Sequence, residues 1–197
     1  MNNISFVGSG NIAYHLGKVI KTSGANINSI SSRNELSGKQ LAQSLNARFC
    51  KIEDIEDSVD LVIIAVSDDS IAEVIEALPS SIRAAIHTSG AVPIDIFGTR
   101  FKNTGVVYPL QSFSKIRELD FYQVPILIEA NNPAFENQLV DLAQRISMRV
   151  ERMGSEERKH LHLAAVIANN FVNYLANEAY SILENQGIDG SLIRPLM

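Results

Sequence analysis

The stretch ISFVGSGNIAYHLGKVI, residues 4–20, decides how the chain is read. Ile4, Phe6 and Val7 make a short apolar run of the kind a buried strand uses, and Gly8-Ser9-Gly10 interrupts it with turn residues. Apolar side chains then return at helical spacing, placing Ile12, Leu16, Val19 and Ile20 on one side of a helix over residues 11–22 that Gly24 closes. A strand, a glycine turn and a helix in immediate succession open a βαβ unit.

Most of the remaining chain repeats this alternation. Ile27–Ser31 predicts a second strand, residues 36–45 a helix and residues 47–49 a short third strand. Leu61-Val62-Ile63-Ile64-Ala65-Val66 is an unbroken apolar run, as a parallel strand covered on both faces demands, and it belongs at the centre of the sheet. Ser67 or Asp68 is placed as the cap of a helix over 71–78, which Pro79 stops. Strands are expected at 84–88, 105–108 and 124–129. A helix capped by Asn132, with Pro133 in its first turn, reaches Ser147, and residues 148–153 make a last strand. The fold class is α/β, with a doubly wound sheet.

After Gly154 the pattern changes. Ser155 is placed as the cap of a helix carrying Glu156 and Glu157 in its first turn, where the helix dipole favours negative charge. The helical pattern continues for roughly thirty residues to Gly187, longer than an ordinary globular helix. Residues 1–153 are read as one domain and 154–197 as the start of an all-helical second one. Asp189-Gly190-Ser191 opens a further helix, and Leu192, Ile193, Leu196 and Met197 have no partner elements after them, so the second domain is expected to be incomplete.

Composition narrows the function. With 46% hydrophobic and 20% charged residues the chain supports a proper core, which argues against disorder. A net charge of -5 without a dense Lys/Arg tract argues against nucleic acid or an anionic membrane as partner and favours a small molecule. Residues 161–177 lack Asp, Glu, Lys and Arg, yet their four asparagines and one histidine argue against a membrane span. A strand begins at once, leaving no room for an export signal, so a cytoplasmic location is expected. Cys50 has no disulfide partner, and no Cys/His spacing suits a metal.

The glycine turn carries the chemistry. In a dinucleotide-binding fingerprint the first glycine makes the turn, the second lets the backbone approach the pyrophosphate, and a small third residue lets helix and strand pack closely. Gly8, Gly10 and Ala13 fill these places, and Gly8, Ser9, Gly10, Asn11 and Ile12 are the candidate phosphate cradle. The second strand ends in Ser31-Ser32-Arg33-Asn34, without the carboxylate that would hold the ribose of NAD. Ser32 and Arg33 suit a 2′-phosphate instead, so NADP is the expected cofactor. Val66-Ser67-Asp68 and His87-Thr88-Ser89-Gly90 leave the carboxyl ends of two strands, where open sheets bind ligands, and Val66, Ser67, Asp68 and Ser89 are expected beside the nicotinamide.

A helical wheel groups Lys159, His162, Val166, Asn169, Asn170, Asn173 and Asn177 on one stripe of the long helix, with apolar residues elsewhere. Neutral amides and an imidazole on a buried helix need partners: either a structural network between helices or a ligand along the stripe. In the second case His162 donates a proton to a substrate atom that receives a hydride and Asn169 orients the carbonyl or imine, with Lys159 beside them. His15 is read as a packing residue, His160 as a partly exposed neighbour, and residues 108–113 either as a loop over the site or as a plain connection.

These motifs, VGSGNIAYHLG at 7–17, SSRN at 31–34, DLVIIAVSDDSIAEV at 60–74, HTSGA at 87–91, YPLQSF at 108–113 and HLAAVIANNFVNYL at 162–175, give a chain that resembles the Rossmann-like NADP oxidoreductases with a C-terminal helical domain of unknown function. Their relatives include pyrroline-5-carboxylate reductase, 6-phosphogluconate and 3-hydroxyacid dehydrogenases and deazaflavin-dependent NADP oxidoreductases. The resemblance implies NADP at Gly8 to Ile12 and at Ser32 and Arg33, and a homodimer formed through the helical domain. It also departs from the group at Tyr108, where histidine is more usual. Two functions remain open: a reductase of a small carbonyl or imine compound, and a dinucleotide-binding sensor without turnover. A methyltransferase is disfavoured, because its ligand has no ribose phosphate for Ser32 and Arg33.

Overall fold

The computed structural model describes residues 1–115 and 119–196, and Met197, named above, lies outside them. Contacts divide the chain into Met1–Arg158 and Lys159–Met197. The first unit holds one sheet of eight strands: β1 (Asn3–Val7), β2 (Asn26–Ser31), β3 (Arg48–Phe49), β4 (Leu61–Ile64), β5 (Ala84–His87), β6 (Asn103–Pro109), β7 (Ile126–Ala130) and β8 (Val150–Arg152), in the order 3-2-1-4-5-6-7-8. The helices between them are α1 (Asn11–Thr22), α2 (Glu35–Leu45), α3 (Ile71–Ala77) and α4 (Pro133–Gln144).

The apolar run at 61–66 lies in mid-sheet as expected, paired with β1 on one side and β5 on the other. Its residues alternate between two cores. Leu61 and Ile63 pack with α1, α2 and α4, whereas Val62 and Ile64 pack with α3 and Phe97. A strand needs apolar side chains on both faces only when both are covered, which is why the run is unbroken.

The sheet is not parallel throughout: β7 runs antiparallel to β6. Among the described residues between the two strands the only helical element is the 3-10 turn Phe121–Gln123, and a parallel return would need a crossover element. Helix starts match expectation at α4 and depart from it at α3. Asn132 caps α4 through the Phe135 N–H and Asn34 caps α2 through the Ser37 N–H. Neither Ser67 nor Asp68 caps α3; a 3-10 turn, Asp68–Ser70, precedes it. Pro79 does stop α3, with Leu78 already extended before it.

Ser155 opens α5 (Ser155–Val166) without acting as its cap. Its hydroxyl donates to Glu129 and accepts from the Ile94 N–H. Arg158, almost wholly buried, pairs with Glu129 and donates to the Val92 carbonyl at 2.7 Å. The first turn of α5 is thereby bonded to β7 and to the segment after β5, so the first unit extends to Arg158.

The second unit contains the rest of α5, a π-helical turn Ile167–Phe171, α6 (Val172–Glu184) and a 3-10 turn Gly190–Leu196. Gly187, at φ +67°, ends the helical run as expected, and Asp189 accepts from the Ser191 N–H to start the last turn. No helix among the described residues is long and apolar enough to cross a membrane. Asn169, Asn170, Asn173 and Asn177 are exposed, which corrects the expectation of a buried stripe. Asn169 instead bonds Asn170 (2.9 Å) and Asn173 (3.3 Å) along the helix surface.

Candidate dinucleotide site

Because β1 and β4 are neighbours and α1 and α3 pack on opposite faces, a crevice opens at the carboxyl ends of these strands. It holds a cleft of about 780 Å³ whose described lining residues all belong to the first unit. That volume lies within the range of small-molecule and cofactor sites.

The two glycines of the turn do different things. Gly8 sits at φ +119°, and a Cβ there would stand 2.1 Å from the Ala65 carbonyl oxygen. Its N–H donates to the Ser31 carbonyl at 2.8 Å, which fixes the turn between β2 and β4. Gly10 has ordinary extended backbone angles, and a Cβ there would meet nothing within 4 Å. Protein packing does not require a glycine at that position. The open space faces a cleft that Gly10 lines, as expected where backbone must approach a phosphate.

Beyond Gly10 the start of α1 is bare. No side chain caps it, no acidic residue occupies its first turn, and Tyr14 is the first N–H to bond back, to Gly10 at 3.0 Å. The N–H groups of Asn11, Ile12 and Ala13 precede that first bond, and with the helix dipole they suit an anion. Ala13 is fully buried, so the small third residue serves helix packing.

A second polar edge lies after β2. Ser9 Oγ hydrogen-bonds Ser32 Oγ at 2.8 Å and Ser37 Oγ at 2.6 Å, and Arg33 donates to Ser70 Oγ at 3.0 Å. Ser32, Arg33 and Ser70 all line the cleft. Glu35, the first carboxylate after β2, is bound to Lys39 at 2.5 Å, and this bond and the lysine charge hold its carboxyl below the usual range. The edge thus offers hydroxyls and a guanidinium to a phosphate. Sequence reading missed Ser37 and Ser70; the Asn34 cap three residues before Ser37 was the available signal for the former, whereas only the fold brings Ser70 to Arg33.

Of the other expected contacts, Val66 and Ser67 line the cleft. Asp68 is exposed at the start of its 3-10 turn and is not part of the lining. The Ser89 hydroxyl is taken by the N–H groups of Ala91 (3.1 Å) and Val92 (3.0 Å), so it shapes the turn after β5 and does not line the cleft. Gln111 and Phe113 do line it, which makes 108–113 more than a connection. His15 holds the same segment, its Nε2 donating to the Ser114 carbonyl at 2.9 Å.

Two buried titratable groups end strands nearby. His87 is fully buried, and burial, with the Arg158 charge second, lowers its pKa to about 4. Its Nδ1 accepts the Ser89 N–H at 3.2 Å, so the ring is neutral at pH 7. Burial, reinforced by the Asp68 carboxylate, raises the Tyr108 phenol, which stays protonated. Lys159, His162 and Asn169 belong to the second unit, and of the expected cofactor set Gly8, Ser9, Gly10, Asn11, Ile12, Ser32, Arg33, Val66 and Ser67 line the cleft. Among the described residues no three His, Cys, Asp or Glu side chains form a metal-binding group.

A family described as NADP oxidoreductase, coenzyme F420-dependent, matches residues 3–90, and a domain of unknown function, DUF2520, matches residues 124–197. No curated protein matches the chain. A solved structure from Bacteroides fragilis, described as a candidate NADP oxidoreductase, is 32% identical, with TM-score 0.90, covering 99% of this chain and 77% of that one. A protein from Thermotoga maritima is 26% identical, with TM-score 0.74, over 98% of this chain and 75% of that one. The fold is shared with an imine reductase from Myxococcus stipitatus solved with NADP+, at 13% identity and TM-score 0.74, over 98% of this chain and 72% of that one. The chain therefore belongs to the NADP oxidoreductase family, and its DUF2520 match takes in β7, α4 and β8 as well as the helices after them.

Proposed function

We propose that this protein binds NADP(H) in the cleft and reduces a small carbonyl or imine compound in the cytoplasm. The observation that carries the reading is the pairing of two anion sites in one cleft: the bare start of α1 at Gly10 and the Ser32-Arg33 edge beside it. A dinucleotide with a 2′-phosphate has one anionic group for each. A bound nicotinamide supplies the hydride, and the protein supplies binding, orientation and a proton. The N–H groups opening α1 hold the diphosphate, and Arg33 with Ser32 and Ser37 holds the 2′-phosphate.

On chemistry alone, His162 is the proton donor and Asn169 the group that orients the substrate, with Lys159 on the same stripe. The π-helical turn Ile167–Phe171 falls within that stripe, and such turns recur at functional sites. We assign the second unit to pairing with a second copy, because Leu163, Ile167, Phe171 and Leu175 are each more than half exposed.

The test is NADPH oxidation with a panel of small imines, keto acids and aldehydes. Steady turnover that His162→Ala lowers mainly in kcat supports the reductase. Tight binding without turnover on any of the panel favours the sensor reading instead.

A further inference from the structure

The loop after β6 is fastened to the glycine turn by three consecutive residues. The Phe113 carbonyl accepts from Asn11 Nδ2 at 2.7 Å, the Ser114 carbonyl accepts from His15 Nε2 at 2.9 Å, and Lys115 Nζ donates to the Ser9 carbonyl at 3.2 Å. Asn11 and His15 lie one helical turn apart on α1, so the strap runs along the first turn of the helix whose N–H groups face the cleft. From behind, the Phe113 ring stacks on Phe121 at 5.9 Å and lies 5.5 Å from the His15 ring. Lys115 is exposed, and its ammonium stands 5.7 Å from the centre of the Tyr14 ring, which confines it near the turn.

We propose that Lys115 is a diphosphate-binding residue, delivered to the glycine turn by the 111–115 strap. The inference rests on the dinucleotide reading above and adds a cation to it. An ammonium has three donors, and Coulomb attraction adds to its hydrogen bond when the acceptor oxygen is itself charged, so a diphosphate at the turn draws Lys115 while the Ser9 bond is kept or exchanged. No covalent step is involved. Because one strap bond engages the glycine turn and the other two engage α1 just after it, ligand binding and strap position are coupled.

The experiment compares wild type, Lys115→Gln and Lys115→Arg in equilibrium titrations with NADP+ and with adenosine 2′-monophosphate, which has the 2′-phosphate but no diphosphate. The glutamine variant is expected to bind NADP+ about tenfold more weakly, the low end for a hydrogen bond to a charged group given the exposure of Lys115. Lys115→Arg restores the affinity, and adenosine 2′-monophosphate binds all three proteins alike. NADP+ affinity unchanged in Lys115→Gln overturns the proposal, as does equal weakening for both ligands, which would make the strap a support for the turn alone. If wild type binds neither ligand, the cofactor reading fails and the clasp with it.

Discussion

The two units treat their apolar residues in opposite ways. In the first, Ile4, Phe6, Leu16, Ile63 and Ile86 are buried to 1% exposure or less; in the second, Phe171, Tyr174 and Leu175 remain 57%, 59% and 64% exposed. The first unit folds around its own core. The second is held locally, by helix bonds, the Gly187 cap and the packing of Tyr180 on Gly190. Helices gain most of their stability from packing an apolar face, and the proposed pairing would cover the face that the second unit leaves exposed. Sequence alone shows which residues are apolar, whereas what covers them depends on the assembly.

The sharpest way to break this contrast is within the first unit. Gly8→Ala places a methyl against the Ala65 carbonyl at a strained φ, and is expected to cost about 3–5 kcal/mol, a fall in Tm on the order of 10 °C. The same methyl at Gly10 meets open space, so thermal unfolding is expected to stay near wild type while dinucleotide affinity falls. Equal loss of stability at both positions would remove the distinction between a folding glycine and a ligand glycine.

A second test uses pH. His87 is held neutral in the fold, with its pKa lowered from 6.5 to about 4 by burial and by Arg158. The unfolded chain binds the proton first, so this stability is present above pH 6.5 and is lost as pH falls toward 4. The full loss is about 3 kcal/mol. Denaturant unfolding across that range is expected to lose this slope in His87→Phe, a change that retains a ring against Phe97. An unchanged slope would assign the acid sensitivity to other groups.

The smallest effect on folding belongs to the second unit. Leu175→Glu is expected to leave the unfolding of the first unit within about 0.5 kcal/mol of wild type, because the side chain is exposed. Sedimentation should show the assembly shifting from dimer to monomer. A wild-type protein that sediments as a monomer would remove the pairing from the account.

Most of the fold was legible because strand and helix periodicities differ and the glycine turn punctuates them. The features that local patterns did not show depend on long-range contacts. β7 runs antiparallel to β6, with no crossover helix among the described residues between them, and the placement of Ser155 and Arg158 follows from a carboxylate on β7. At the site, Gly8, Gly10, Ser32 and Arg33 were legible because their chemistry sits on local spacing. Ser89 was misplaced because a hydroxyl beside two free backbone N–H groups satisfies them first. Lys115 was invisible, since nothing local to it signals that β6 returns beside the turn.

The central claim, that the cleft is built for a phosphorylated dinucleotide, is tested most directly by titrating wild type and Arg33→Ala with NADPH and with NADH. The account expects wild type to prefer NADPH by at least about tenfold, and Arg33→Ala to lose that preference while its affinity for NADH stays unchanged. Equal affinity of wild type for both dinucleotides, or a preference that survives the loss of Arg33, would contradict it.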